Sequence, residues 1–389
     1  MLFRSHERTI FPLLRRRPLF SGADAFYLYD FLCHGAVNDN VFVYSNRKGG
    51  ERALVVVHNA HGEVAGVIGT STGKRIKEGE GEGLISPQLY DGLGLGEQDA
   101  HFWRFRDATS DLEYLRRRDD LLGSAFFLAL GSYGVHVFID WQPLAWDEHL
   151  DALCTRLGGQ PVAQFDHELI ALRFAPEQAA LRRLLSEEGR HVITACSGKK
   201  PTKADRAVES ALADFLLLFG QKPLPLSTAQ CQLVEGAESS LSLLVWALLR
   251  QGDAGEDLPA VFAAQGLDRV LGEILGDTTT LPLYRALWRH RAALADLSLA
   301  ELLPHLCAES ELRATLNWHE WEGKSYVDQG ALTTLLQRLE EILVFELTGG
   351  EVSEERRKTR VAALSSEITA LAKKAELNAY QLEKFCDFE

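Results

Sequence analysis

The chain has 389 residues, 46% hydrophobic and 25% charged, enough apolar material for more than one buried core and too much for a mostly disordered chain. Forty-one basic against fifty-five acidic residues give a net charge of −14, which argues against a nucleic-acid partner. No apolar run reaches the ~18 residues of a membrane span. The six cysteines, at positions 33, 154, 196, 231, 307 and 386, form no metal-ligand cluster and read as reduced core residues, which favours a cytoplasmic location.

The first residues lack a secretory pattern, because Arg15, Arg16 and Arg17 follow a short apolar patch instead of preceding one. Seventeen of the 32 glycines precede residue 141, which marks a turn-rich and strand-rich region. Residues 41–46 and 52–58 are β-branched runs joined by Arg47-Lys-Gly-Gly-Glu51, the pattern of a hairpin. A third strand is expected at 62–70. In His101-Phe-Trp-Arg-Phe-Arg106 the period of two sends Phe102 and Trp103 to opposite faces. Residues 111–130 read as a charged, then apolar, helix, and 134–141 as one more strand. An antiparallel β-sandwich is expected over 21–142.

From residue 143 the spacing turns helical, at 148–157, 176–188, 203–219 and 241–250. Near the C-terminus Leu332, Leu335, Leu336, Leu339, Ile342 and Leu343 form one stripe, stopped by Gly349 and Gly350. Ser353 is placed to cap the next helix, where Val361, Leu364, Ile368 and Leu371 make a seam for packing back on its neighbour. The expected fold class is therefore α+β: an N-terminal antiparallel β-sandwich, then an all-helical domain over 143–389 ending in an antiparallel helix hairpin, with no complete TIM barrel.

Motifs for chemistry are sparse. Gly69-Thr-Ser-Thr-Gly-Lys-Arg75 is one residue short of a phosphate loop and has Arg75 in place of the metal-binding hydroxyl, so it reads as a loop after a strand. His58 and His61 flank a turn without a carboxylate or cysteine nearby and read as solvent-exposed. The basic stretch 197–203 reads as a solvated connector. No nucleophile elbow, metal-ligand set or cofactor motif is present, so no catalytic residue, metal or cofactor is assigned. The most unusual cluster is Asn317-Trp-His-Glu-Trp321. On a helix its two indoles would share a face and stack on sugar rings, with His319 and Glu320 bonding hydroxyls, although Trp318 and Trp321 also suit helix packing.

The stretch from Ile10-Phe-Pro-Leu-Leu-Arg-Arg-Arg-Pro-Leu-Phe20 through Phe26-Tyr-Leu-Tyr-Asp-Phe31, Asn38-Asp-Asn-Val-Phe-Val-Tyr-Ser-Asn-Arg47 and Glu51-Arg-Ala-Leu-Val-Val-Val-His-Asn59 resembles the region just after the catalytic barrel in alpha-amylase-superfamily glycoside hydrolases. His101-Phe-Trp-Arg-Phe-Arg-Asp107, Leu112-Glu-Tyr114 and Val137-Phe-Ile-Asp-Trp141 resemble its continuation, so the likeness covers residues 6 to 142. It implies that residues 1–20 correspond to the last barrel helix and 21–142 to the sandwich that follows. The family's catalytic motifs are missing: Asp166-His167 has the reverse order of its His-Asp pair, and no nucleophile strand occurs. The implied function is that of a non-catalytic C-terminal portion, supporting a catalytic barrel or binding alpha-glucan. The implied partners are alpha-glucan and either a barrel on another chain or a second copy, met through Ile10, Phe11 and Leu14. The alternative is a protein-interaction scaffold acting through the helical domain. A third reading is an enzyme whose pocket between the halves is lined by close carboxylates.

Overall fold

The computed structural model describes residues 11–78, 81–96, 99–122, 126–186, 230, 233, 240–249, 258–276, 280–291, 294, 298–349 and 353–381. The expected helix at 203–219, the basic stretch 197–203 and Ile10 lie outside these residues. The α+β class holds, with antiparallel strands first and helices after them. The chain divides into two compact units, one ending at Arg173 and the other beginning at Phe174.

The first unit is built on strands β1 (Tyr27–Cys33), β2 (Ala36–Val37), β3 (Val41–Lys48), β4 (Glu51–His58), β5 (Val64–Ser71), β6 (Lys74–Glu78), β7 (Gly81–Ile85), β8 (Phe102–Asp107), β9 (Leu112–Arg117), β10 (Phe127–Leu130) and β11 (Val135–Leu144). Nine of them form one antiparallel sheet in the order β10-β5-β1-β3-β4-β11-β8-β9, with β2 paired to β1, while β6 and β7 make a separate hairpin. The expected hairpin of β3 and β4 is present. Val41, Val43, Leu54 and Val56 pack on its inward side, and Gly49, at a φ of 59°, makes the turn.

The sheet curls around a core that includes Phe31, Val43, Leu54, Trp103, Phe105, Tyr114, Leu128 and Phe138. Residues from both ends of the strand order thus meet on its concave side. Phe105 lies at the centre, stacked 4.1 Å from Trp141 and 5.3 Å from Tyr114, with Phe138 edge-on at 5.6 Å. Trp103 shares this face while Phe102 joins Leu115, Leu150, Leu153 and Phe165 on the other, as the period of two requires.

Helices Glu148–Leu157 and Phe165–Arg173 cover that outer face, which is why the unit runs past the change of texture at residue 143. The first is capped by Asp147, whose side chain accepts from the His149 and Leu150 amides, and stops at Gly158 in the left-handed region. Close packing of β5 on β1 depends on Gly66, where a Cβ would stand 2.4 Å from the Leu32 carbonyl oxygen and 2.8 Å from the Phe31 ring. Gly66→Ala is expected to cost about 1–3 kcal/mol, measured as a lower urea midpoint; an unchanged midpoint would show that the two strands part easily.

Two expectations for this unit are corrected. The segment 111–130 is not one helix but strand β9, a short helix Arg118–Leu122 and strand β10. Leu112 and Tyr114 pack inward while Leu115 packs outward, so apolar groups serve both faces of a strand and the period of two prevails. His58 is buried instead of solvent-exposed, its Nδ1 2.8 Å from the Gly131 carbonyl oxygen, whereas His61 is exposed. The described residues of the expected N-terminal helical segment form two single-turn helices, Phe11–Leu14 and Arg17–Phe20; Pro18 has no amide hydrogen and suits the start of the second. As for the phosphate-loop candidate, Gly69 and Ser71 lie in β5 and Lys74 opens β6, so a hairpin follows where a helix would be needed.

The second unit is helical around one large core. The apolar run around Val245 is the helix Ser240–Leu249, whose residues 243–249 are all buried, which is why it lacks a polar face. No helix among the described residues is long and apolar enough to cross a membrane. In helix Gln329–Gly349 the six-residue stripe read from the sequence is buried, and Leu364 and Ile368 of helix Glu354–Leu377 pack on the same core. The apolar seam of the final helix pair is thus used inside the unit. Ser353 stands at the cap position, but its side chain makes no capping bond. Glu346 is buried in this core and accepts from Trp246 Nε1 at 2.8 Å.

Candidate functional site

Two places combine exposed or semi-enclosed polar groups with aromatic surface. The first contains the cluster singled out by the sequence. Residues 317–326 form a small hairpin of β12 (His319–Trp321) and β13 (Lys324–Tyr326), with Asn317 and Glu322 at positive φ. A helix would have aligned the two indoles; the hairpin separates them. Trp318 is half-buried against the helical core, with the Arg313 guanidinium 4.8 Å from its ring. Trp321 is 65% exposed, and Glu320 is exposed on the opposite face of the strand. His319 is held by two contacts, Nδ1 at 2.9 Å from the Asn317 carbonyl oxygen and its ring stacked on Tyr326 at 5.8 Å. Of the four candidate residues, Trp318 serves packing, and His319, Glu320 and Trp321 form an exposed strand.

The second place went unnoticed in the sequence. Because the sheet stops short of closing, its edge strands β9 and β10 stand on either side of a cleft of about 480 Å³. Tyr114, Arg116 and Arg117 line it from β9, Phe127, Leu128 and Ala129 from β10, His136 from β11, and Cys154, Thr155 and residues 158–161 from the covering helix and its exit. The strand period puts Asp107, Tyr114 and His136 on the concave face with Phe105 and Phe138.

Asp107 is fully buried and anchors this end of the core. It accepts from His136 Nδ1 at 2.8 Å, the Thr109 amide at 3.0 Å, Thr109 Oγ1 at 2.8 Å, Ser110 Oγ at 2.9 Å and the Val137 amide at 3.1 Å. Burial alone would raise its pKa, but these donors outweigh it and hold the carboxyl at about 2. An ionised acceptor fixes the tautomer, so His136 carries its proton on Nδ1 and turns Nε2 to other uses.

Among the residues lining the cleft Asp120 is the one carboxylate, so paired-carboxylate chemistry has no second group there. Cys154 is buried and its thiol is pushed up by burial, the condition of an inert thiol. No group of three or more His, Cys, Asp or Glu side chains among the described residues is placed to hold a metal ion.

The sequence held a faint signal for this second place. His136 alternates with Phe138, and Arg116 with Tyr114, so each is a polar residue in an apolar stripe. Nothing in the sequence told which stripe would border an open seam. No family model, curated protein or solved structure matches this chain.

Proposed function

We propose that the chain is the non-catalytic C-terminal portion of an alpha-amylase-like protein, and that it binds alpha-glucan through the hairpin at residues 319–326. The observation that carries the binding role is Trp321. Its exposed indole offers a flat apolar face for a pyranose ring, and the fixed imidazole of His319, on the same face of the strand, is a partner for sugar hydroxyls, while Glu320 projects from the opposite face.

The amylase-like part draws support from where its motifs fall. The stretches 38–47 and 51–59 lie on β3 and β4, 101–107 on β8, and 137–141 on β11, all in one antiparallel sheet. Residues 11–20 lie on the outer face of that sheet, where Leu19 is buried against Ala53, Val55, Val137 and Ile139 and Leu13 and Phe20 pack beside it. Arg16 adds a 2.5 Å ion pair to Asp140, which also holds Arg106 at 2.9 Å. Phe11 and Leu14 remain 52% and 64% exposed. That surface suits a catalytic barrel on another chain or a second copy.

Affinity electrophoresis in amylopectin tests the glucan role. The chain is expected to be retarded, and Trp321→Ala to lose most of that retardation, since base or sugar stacking on one exposed aromatic ring is worth about 1 kcal/mol or more. Equal retardation of the two proteins would remove the hairpin from the account. Unchanged mobility of the native chain would shift the role to protein interaction through Phe11 and Leu14.

A further inference from the structure

The cleft at the seam of the sheet holds a cation that the described residues leave without a counter-ion. Arg104 is ion-paired with Glu113 and Asp166, Arg106 with Asp111 and Asp140, and Arg117 with Asp151, while Arg118, whose Nε is buried without a hydrogen-bond partner, does not line the cleft. Arg116 has no such pair among the described residues. Its Nη1 donates to the backbone oxygen of Leu115 at 3.0 Å, and its other nitrogens have no hydrogen-bond partner among the described residues. The Tyr114 and Phe126 rings, 5.5 and 5.8 Å from the guanidinium carbon, hold the group in place. Gly159, at a φ of 84°, passes so close that a Cβ there would stand 3.3 Å from the guanidinium. Burial pulls the Arg116 guanidinium down from its ordinary value, and Asp120, which makes no ion pair with it, offsets this only in part.

We infer that this cleft binds a small organic anion, whose carboxylate or phosphate group is taken by the free donors of Arg116 while a hydroxyl of the same molecule donates to Nε2 of His136. A guanidinium fork matches either oxyanion in a bidentate fashion, and an incoming anion relieves a partly desolvated, unpaired charge. His136 lines the same cleft with Nδ1 already committed to Asp107, so Nε2 is its available nitrogen. The anion's body lies against Phe127, Leu128 and Ala129, and a cleft of about 480 Å³ admits a body of hexose size. Asp120 at the rim sets the limit on charge: one acidic group is accepted and a second would meet repulsion. This site is independent of the glucan-contacting hairpin.

The test is a titration of the full chain, labelled with 15N-arginine and read at the Arg116 Nε resonance, at constant ionic strength. The probes are glucose 6-phosphate and glucuronate, with glucose as the uncharged control. A saturable shift with at least one sugar acid, at a Kd of about 1 mM or tighter, and none with glucose is the expected result. The tighter of the two identifies the head group. Arg116→Gln, followed by calorimetry, is expected to weaken binding at least ~10-fold, the scale of one charge-assisted contact. Arg116→Lys, which keeps the charge but not the fork, is expected to weaken it several-fold and serves if the glutamine variant fails to fold. No saturable shift with either sugar acid, or undiminished binding in both variants, would overturn the assignment.

Discussion

Phe105→Ala is expected to destabilise the β unit by about 3–5 kcal/mol, the range for deleting a fully buried aromatic ring. Phe105 has no exposed surface, and four other rings depend on it: Trp141 at 4.1 Å, Tyr114 at 5.3 Å, Phe138 at 5.6 Å and Phe126 at 5.8 Å. These rings come from β9, β11 and the entrance of β10, so the ring of Phe105 fills the space that the curl of the sheet encloses. Collapse into the hole would require opposite ends of the sheet to move together, which strand pairing resists. Phe105→Leu keeps most of the volume and is expected to lose less than half as much. Urea unfolding of the full chain, followed by near-ultraviolet circular dichroism, reads both variants. A loss below about 1 kcal/mol for the alanine variant would mean that the aromatic column is not the organising core.

Asp107→Asn is expected to cost about 2–4 kcal/mol at neutral pH. The amide nitrogen that replaces one carboxylate oxygen would face donors, leaving part of the set formed by His136, Thr109, Ser110 and the Val137 amide unsatisfied. The pH dependence has a definite sign. Against an ordinary value of 3.8, the folded carboxyl is held at about 2, so the folded state binds the proton more weakly than the unfolded chain. The ionised form therefore contributes stability above pH ~4, and that contribution is lost as pH falls through about 2. A shift of nearly two units corresponds to roughly 2.5 kcal/mol. The stability difference between the native chain and the asparagine variant should thus shrink between pH 5 and pH 2. A difference that stayed constant over that range would mean that Asp107 is not the ionised acceptor of these bonds.

What the residues made legible was local and periodic. The β3–β4 hairpin followed from valine runs around Gly49 and Gly50, the opposed faces of Phe102 and Trp103 from strict alternation, and helix Gln329–Gly349 from six apolar residues on one stripe. Failures came where a segment served two masters. Residues 112–117 pack apolar groups on both faces, which blurs the alternation that marks a half-buried strand. The hairpin at 319–326 is too short to carry a period, and its turn depends on Glu322 and Gly323 at positive φ, one of which is an unusual residue for that conformation. The seam cleft was least legible of all. It arises from the curl that brings β9 opposite β10, strands near in sequence but at the two ends of the strand order. No local pattern encodes how far a sheet curls; that depends on the summed packing of its concave side chains.

Calorimetric titration with maltoheptaose, with reducing ends assayed in the same sample, tests the central claim most directly. The account predicts saturable binding without release of reducing ends, and a markedly weaker titration for Trp321→Ala. Release of reducing ends by the purified chain, abolished by substituting one carboxylate, would contradict the non-catalytic role, and the absence of any binding heat would contradict the glucan-binding one.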